Sequence, residues 1–94
     1  MIVWTNQATR QLDQARDYIA LSNSEKVSLN VVLQIVANVQ QLESFPMSGR
    51  IGRIPDTREL VISGTPFIVA YTIDSDRIVI LAVYHGSQQW PETF

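Results

Sequence analysis

The sequence contains no cysteine and a single histidine, His85. These absences exclude disulfides, thiol catalysis, zinc sites built on cysteine and metal sites built on clustered histidines. No apolar run approaches the ~18–20 residues that a membrane-spanning helix requires. The first residues also lack the basic stretch and long apolar core of a signal peptide. The sequence therefore predicts a cytoplasmic protein that makes no contact with a membrane.

Lysine is almost absent, because Lys26 is the only one and the other six basic residues are arginines. Nine acidic residues give a formal net charge of −2. Proteins that grip nucleic acid over a wide surface are usually basic, so this balance argues against that class. The distribution is uneven, however, since three arginines and one acid lie between Arg50 and Arg58. Arginine favours planar, bidentate contacts with anionic groups.

The chain of 94 residues has no repeat, linker or low-complexity stretch, and its length fits one domain over residues 1–94. Met1 to Trp4 reads as a strand, and Thr5 or Asn6 is expected to cap a helix. The apolar stripe of that helix has helical spacing: Ala8, Leu12, Ala15 and Ile19. Ser22 and Glu25 have capping-box spacing at the start of a second helix, expected to end near Ser44. Its stripe comprises Val32, Ile35, Val36, Val39 and Leu42.

Prolines and glycines then interrupt the helical pattern and predict a loop: Pro46, Gly49, Gly52 and Pro55. Three strand-like runs follow: Arg58–Ser63, Phe67–Ile73 and Arg77–His85. The last run is apolar on both faces (Ile78, Ile80 and Ala82; Val79, Leu81 and Val83), which is typical of a central strand. The order β-α-α-β-β-β predicts an α+β fold, in which a helical hairpin covers one face of a small antiparallel sheet.

A few residues are candidates for chemistry or binding, each with a plainer alternative. The loop from Gly49 to Arg53 suits a phosphate or carboxylate, or is a solvated connector. Arg58, in line with Leu60 and Ile62, either binds an anion or extends over the apolar face. His85, in line with Leu81 and Val83, is a potential acid or base, or a hydrogen-bonded strand end. Trp90 is expected to pack over the end of the sheet.

Several segments together resemble the RelE/ParE superfamily of bacterial type II toxins, and the ParE branch most closely. The matching segments are Thr57–Val61, Thr65–Tyr71, Ile80–Gly86 with Trp90-Pro91, Phe45-Pro46 with Ser48–Arg50, and Tyr18–Ala20. The resemblance spans essentially the whole chain and implies a helical hairpin against a small antiparallel sheet. It also implies a small antitoxin as partner, and a higher-order toxin–antitoxin assembly.

The family divides by target: RelE-like members cut mRNA on the ribosome, whereas ParE-like members act on DNA gyrase. The RelE pattern expects arginines near Ile62 and Gln88, and this sequence has apolar or amide side chains there. Without those guanidinium groups the charge stabilisation that phosphodiester cleavage requires is missing. The resemblance thus favours a ParE-like gyrase inhibitor without chemistry, cofactor or metal. The alternatives are a nuclease that uses Arg58 and His85, and a decayed toxin that only binds its antitoxin.

Many ParE-like relatives have arginine where this chain has Gln88 and Gln89, which bears on potency. The antitoxin is expected to cover the arginine cluster with acidic side chains. The residues predicted to bind the target or the antitoxin are Arg50, Arg53, Arg58, Tyr71, His85, Gln88 and Trp90.

Overall fold

The structure is a computed structural model that describes residues 1–86. Its elements are β1 (Ile2–Trp4), α1 (Asn6–Ser22), α2 (Glu25–Gln40), β2 (Arg50–Ile51), β3 (Arg58–Val61), β4 (Phe67–Asp74) and β5 (Arg77–His85). The five strands form one sheet in the order β1-β5-β4-β3-β2, and the two helices pack on one face. The predicted α+β class and the helical hairpin on the sheet are confirmed.

Hydroxyl side chains set the start of both helices. Thr5 Oγ1 accepts a hydrogen bond from the Ala8 N–H (3.1 Å), which confirms the predicted cap of α1. Ser24 Oγ accepts from the Val27 N–H (3.2 Å) and caps α2. The predicted capping box from Ser22 is wrong, because Ser22 still belongs to the last turn of α1. A short 3-10 turn at Gln41–Glu43 extends α2 almost to the predicted end.

The sheet is mixed in direction, whereas the sequence predicted an antiparallel one. β3, β4 and β5 are joined by antiparallel pairing, whereas β1 pairs in parallel with β5. β1 and β5 are distant in sequence, so no hairpin turn restricts their relative direction. The short β2 pairs with the outer edge of β3. β5 lies between β1 and β4, as its apolar residues on both faces predicted.

A β-bulge in β5 changes which side chains face the helices. Ala70 is opposite Ala82 while Tyr71 is opposite Ile80, so Leu81 has no partner residue on β4. Beyond the bulge, Val83 belongs to the core beneath the helices, whereas Ala82 belongs to a cluster with Ala70 and Tyr84. The strict alternation of faces predicted for β5 is therefore wrong beyond Ile80. The bulge inserts one extra residue, and the run of apolar residues gives no sign of it.

The core confirms most of the two predicted helical stripes. α1 contributes Ala8, Ala15 and Ile19, and α2 with its 3-10 turn contributes Ile35, Val39 and Leu42. Val36, predicted to widen the stripe of α2, is instead 38% exposed. Within residues 1–86, no helix is long and apolar enough to cross a membrane.

Candidate partner-binding site

Residues 45–57 link the helices to β3 and form the arginine loop, which carries Arg50 and Arg53 and contains β2. β2 holds the loop to the sheet, because Arg50 pairs with Glu59 and Ile51 pairs with Arg58 in the strand register. The end of the loop is closed by a hydrogen bond of 2.8 Å from the Gly52 N–H to the Thr57 carbonyl. The arginine loop therefore lies along the edge of the sheet.

Tyr71, in the middle of β4, holds the start of this loop through its hydroxyl group. Its side chain is fully buried. The hydroxyl accepts a hydrogen bond from the Gly49 N–H (2.9 Å) and donates one to the Pro46 carbonyl (2.8 Å). Burial raises the pKa of the hydroxyl, while the Gly49 N–H and the Arg58 guanidinium lower it by less. The proton needed for donation to Pro46 is thus retained at neutral pH.

The close approach of the Tyr71 ring requires glycine at position 49. A Cβ added to Gly49 would lie 2.6 Å from the Tyr71 hydroxyl and 3.0 Å from the Glu59 carbonyl oxygen. Real Cβ atoms do not approach other atoms so closely without displacing them. The glycine in the sequence Ser48-Gly49-Arg50 is therefore needed for packing against Tyr71, which the sequence patterns did not indicate.

Arg58 holds the same part of the loop from β3. Its register partner is Tyr71, so the two side chains lie on one face of the sheet. The guanidinium donates from Nη1 to the Gly49 carbonyl (2.7 Å) and more weakly to the Met47 carbonyl (3.3 Å). The guanidinium of Arg58 thus binds backbone carbonyls of the loop, a use that was not among the two predicted for it.

Glu59 organises the other end of the loop and is the residue that sequence reasoning missed. Its side chain is buried. One carboxylate oxygen accepts from Arg50 Nε (3.0 Å), and the other accepts from the backbone N–H of Arg53 (3.1 Å). A buried carboxylate needs such partners. The only signal in the sequence was an acid directly after Arg58, close to two further arginines, and it does not distinguish a buried residue from a solvated one.

A groove of about 420 Å³ borders the arginine loop. Its lining comprises Met47, Ile51, Asp56, Thr57, Arg58, Thr72 and Ile73. The apolar side chains Met47 and Ile51 are 62% and 81% exposed. Arg50 and Arg53 are exposed beside them. The groove and the loop together form the arginine edge, a surface with both apolar and cationic groups and hence suited to an acidic amphipathic segment.

A second cleft, of about 370 Å³, lies at the opposite end of β4 and β5, beneath α1. His85 lines it, and its ring makes edge-to-face contacts with the rings of Tyr18 and Phe67, each at a centroid distance of 5.6 Å. The ring is half-buried between these two aromatic side chains. His85 thus packs in an aromatic cluster at the end of the strand.

Arg58 and His85 do not form one site. Along β4, Phe67 is the register partner of His85 and Tyr71 is that of Arg58. Four residues of strand separate these positions by about 13 Å, at ~3.3 Å per residue. The Arg58 guanidinium is held by carbonyls of the arginine loop, whereas His85 packs beneath α1. One scissile phosphate could not contact both side chains in this arrangement.

The structure therefore brings together Arg50, Arg53 and Arg58 and places His85 elsewhere. Tyr71 is a buried support for these arginines and does not contribute to the surface. Gln88 and Trp90 lie outside the described residues. In the described part of the chain, no cluster of three or more acidic or histidine side chains is arranged to hold a metal ion.

Comparisons with known proteins point to one family. The family model described as "ParE toxin of type II toxin-antitoxin system, parDE" matches residues 2–90. A protein of Sinorhizobium fredii (strain NBRC 101917 / NGR234), named "Putative toxin Y4kP", is 43% identical over 91 residues, covering 97% of this chain and 93% of the relative. A solved structure of the chromosomal ParDE TA system from P. aeruginosa superposes with a TM-score of 0.83 at 26% identity. That match covers 89% of this chain and 92% of the other.

Proposed function

The chain belongs to the ParE toxin family of type II toxin–antitoxin systems, and from this membership we propose that it inhibits DNA gyrase by binding and is neutralised by a cognate antitoxin. Gyrase as the target follows from the resemblance to the ParE branch. The observation that supports binding over catalysis is the arginine edge, a cationic surface that hydrogen bonds hold in place. Arg58 and His85, the two residues that a nuclease would use, lie far apart.

The arginine edge is preorganised for binding. Tyr71, Arg58 and Glu59 fix the loop through its backbone, so a partner does not have to order it on association. Ordering a loop on binding opposes affinity, and a loop that is already ordered avoids that cost. Arg53 carries the cationic group at the outer turn of this loop.

The antitoxin is proposed to use the same edge. An acidic, partly apolar segment would place carboxylates near Arg50 and Arg53 and an apolar side chain on Met47 and Ile51. Charge complementarity at an exposed rim mainly accelerates association and sets its salt dependence. The two proposed partners would then compete for one surface, which gives neutralisation a simple steric basis.

A supercoiling assay tests the proposed target. Purified toxin is added to gyrase, relaxed plasmid and ATP, and the expected result is loss of supercoiled product. Arg53→Glu should weaken inhibition by at least tenfold, about 1.4 kcal/mol. Arg10→Glu is the matched control, because Arg10 is an exposed arginine on α1, away from the edge. Unimpaired supercoiling together with ribosome-dependent cleavage of mRNA would reject the gyrase proposal in favour of the nuclease.

The antitoxin proposal has its own readout. The product of the adjacent reading frame is co-expressed with tagged toxin, and the complex is challenged with salt. The expected result is a stable complex that Arg50→Glu with Arg53→Glu weakens, with a smaller dependence on salt than that of the wild-type complex. Equal affinity of the double variant and the wild type would show that the antitoxin binds elsewhere.

A further inference from the structure

The face of the sheet opposite the helices has a buried patch at its centre. Ala70, Ala82 and Tyr84 form a cluster of their own, separate from the core beneath the helices, which we call the alanine patch. Ala70 and Ala82 are register partners on β4 and β5, and neither has any exposed surface. Two neighbouring alanines are too short to shield each other from water on an open sheet face. A further segment therefore covers the alanine patch.

Within residues 1–86, no element accounts for this cover. The helices pack on the other face, against Val69 and Val83, which precede and follow the two alanines along their strands. The arginine loop meets the open face at Glu59 on β3, and Ala82 lies two strands further in. Because the alanine patch is buried within a single chain, its cover belongs to the same chain. The eight residues after Gly86 are the remaining source.

We propose that the alanine patch is the docking site of residues 87–94 of this chain, with the ring of Trp90 over Ala70 and Ala82. These eight residues lie outside the described part of the chain. Gly86, the last described residue, lies in a turn directly after β5. Its N–H donates a hydrogen bond of 2.6 Å to the Pro66 carbonyl, so the position from which the segment starts is fixed on the sheet.

The length of the segment fits this assignment. Ala82 lies four residues before Gly86, and Trp90 lies four residues after it. Four residues of chain span at most about 14 Å, and four residues of strand span about 13 Å. A chain that turns back at Gly86 therefore brings Trp90 level with Ala82. Residues 87–91 have no charged side chain, so burial against alanine requires no charge to be desolvated.

Tryptophan is the side chain of the segment whose size matches the patch. Its ring system buries about 150–250 Å², which is enough to cover two alanines and part of Tyr84. Exclusion of water from this face agrees with Tyr84, since burial raises the pKa of its hydroxyl. Trp90 then supports the sheet from its open face. The docking requires neither gyrase nor an antitoxin, so it is independent of the function proposed above.

A single introduced thiol reports how well the alanine patch is covered, because the chain has no native cysteine. Ala82→Cys places the thiol on the patch, and Val69→Cys places it on the helix side of β4. In the full chain both thiols should react slowly with dithionitrobenzoate. Adding Trp90→Ala should accelerate the reaction at Ala82→Cys by about tenfold or more and leave Val69→Cys slow, as in a local opening. Gln89→Ala, the matched control in the same segment, should change neither rate.

Two results would overturn the proposal. An unchanged rate at Ala82→Cys on addition of Trp90→Ala would show that another residue covers the patch. An equal acceleration at Val69→Cys would show that loss of the ring opens the whole domain and does not uncover one face.

Tryptophan fluorescence provides a second measurement on a chain that keeps Trp90. The sequence has two tryptophans, so Trp4→Phe leaves Trp90 as the only one. Its emission should be that of a ring shielded from water, and acrylamide should quench it far less than in the chain unfolded by urea. Circular dichroism checks that Trp4→Phe folds. Quenching in the folded chain as efficient as in the unfolded chain would refute the docking.

Discussion

Tyr71→Phe is the substitution that separates the support of the arginine loop from the packing of the core. The ring of Tyr71 fills the core beneath the helices, and phenylalanine keeps that ring. The hydroxyl alone is lost, together with its hydrogen bonds to the Gly49 N–H and the Pro46 carbonyl. The resulting change in stability therefore measures how firmly the loop is attached to the sheet.

The magnitude follows from these two contacts. Each hydrogen bond contributes about 0.5–1.5 kcal/mol net, and a buried group left without a partner costs about 1–3 kcal/mol. Gly49 is buried and loses its acceptor, whereas the half-buried Pro46 carbonyl can be partly rehydrated. We therefore expect the free energy of unfolding to fall by about 2–3 kcal/mol. In a domain of this size that lowers Tm by about 10–20 °C.

Urea unfolding followed by circular dichroism measures this change, with Tyr18→Phe as the control. Tyr18 is 56% exposed on α1, so removal of its hydroxyl should alter stability by less than about 0.5 kcal/mol. Tyr71→Phe should also weaken gyrase inhibition more than its fraction unfolded accounts for, since one of the contacts that fix the arginine loop is lost. A fall in stability no larger than that of the control would refute the assigned role of the hydroxyl.

Three further outcomes follow from the same contacts. Gly49→Ala should lower the free energy of unfolding by about 1–3 kcal/mol, as measured by urea unfolding, because its Cβ would overlap the Tyr71 hydroxyl. Glu59→Gln should cost about 1–3 kcal/mol in the same assay, since the amide cannot accept at both oxygens from Arg50 and Arg53. Because burial raises the pKa of Tyr71 and of Tyr84, stability should be full below pH ~10 and fall as pH rises above it. Equilibrium unfolding at several alkaline pH values should show a shallower decline for Tyr71→Phe, and an unchanged decline would contradict the assignment.

The sequence was informative where one element has a single buried face. The stripes of α1 and α2 and the hairpin between β4 and β5 follow from periodicity and turn residues, because burial of apolar surface dominates at these positions. The family resemblance implied the same helical hairpin against a small sheet. The cluster of Arg50, Arg53 and Arg58 also follows from the sequence, since the three arginines are close together along the chain.

The missed features depend on contacts between distant segments. Leu81 is apolar like its neighbours, so the sequence does not distinguish it from them. Only the pairing with β4 shows that it is the additional residue of the bulge. Tyr71 looked like a surface candidate because it ends a motif, yet its hydroxyl binds backbone atoms more than twenty residues away in sequence. Glu59 looked like one charge among several. The partners of such residues are set by tertiary packing, which local patterns do not specify.

The net charge of −2 therefore says little about the partners of this protein, because the charged residues are unevenly distributed along the chain. Glu59 is buried, and its negative charge supports Arg50 and the Arg53 backbone from within the protein. Because Arg50 is paired with Glu59, the arginine edge presents less positive charge than its three arginines suggest. From Val27 to Leu42, by contrast, α2 and the turn after it have no charged residue, so the whole-chain value averages over surfaces of different chemistry.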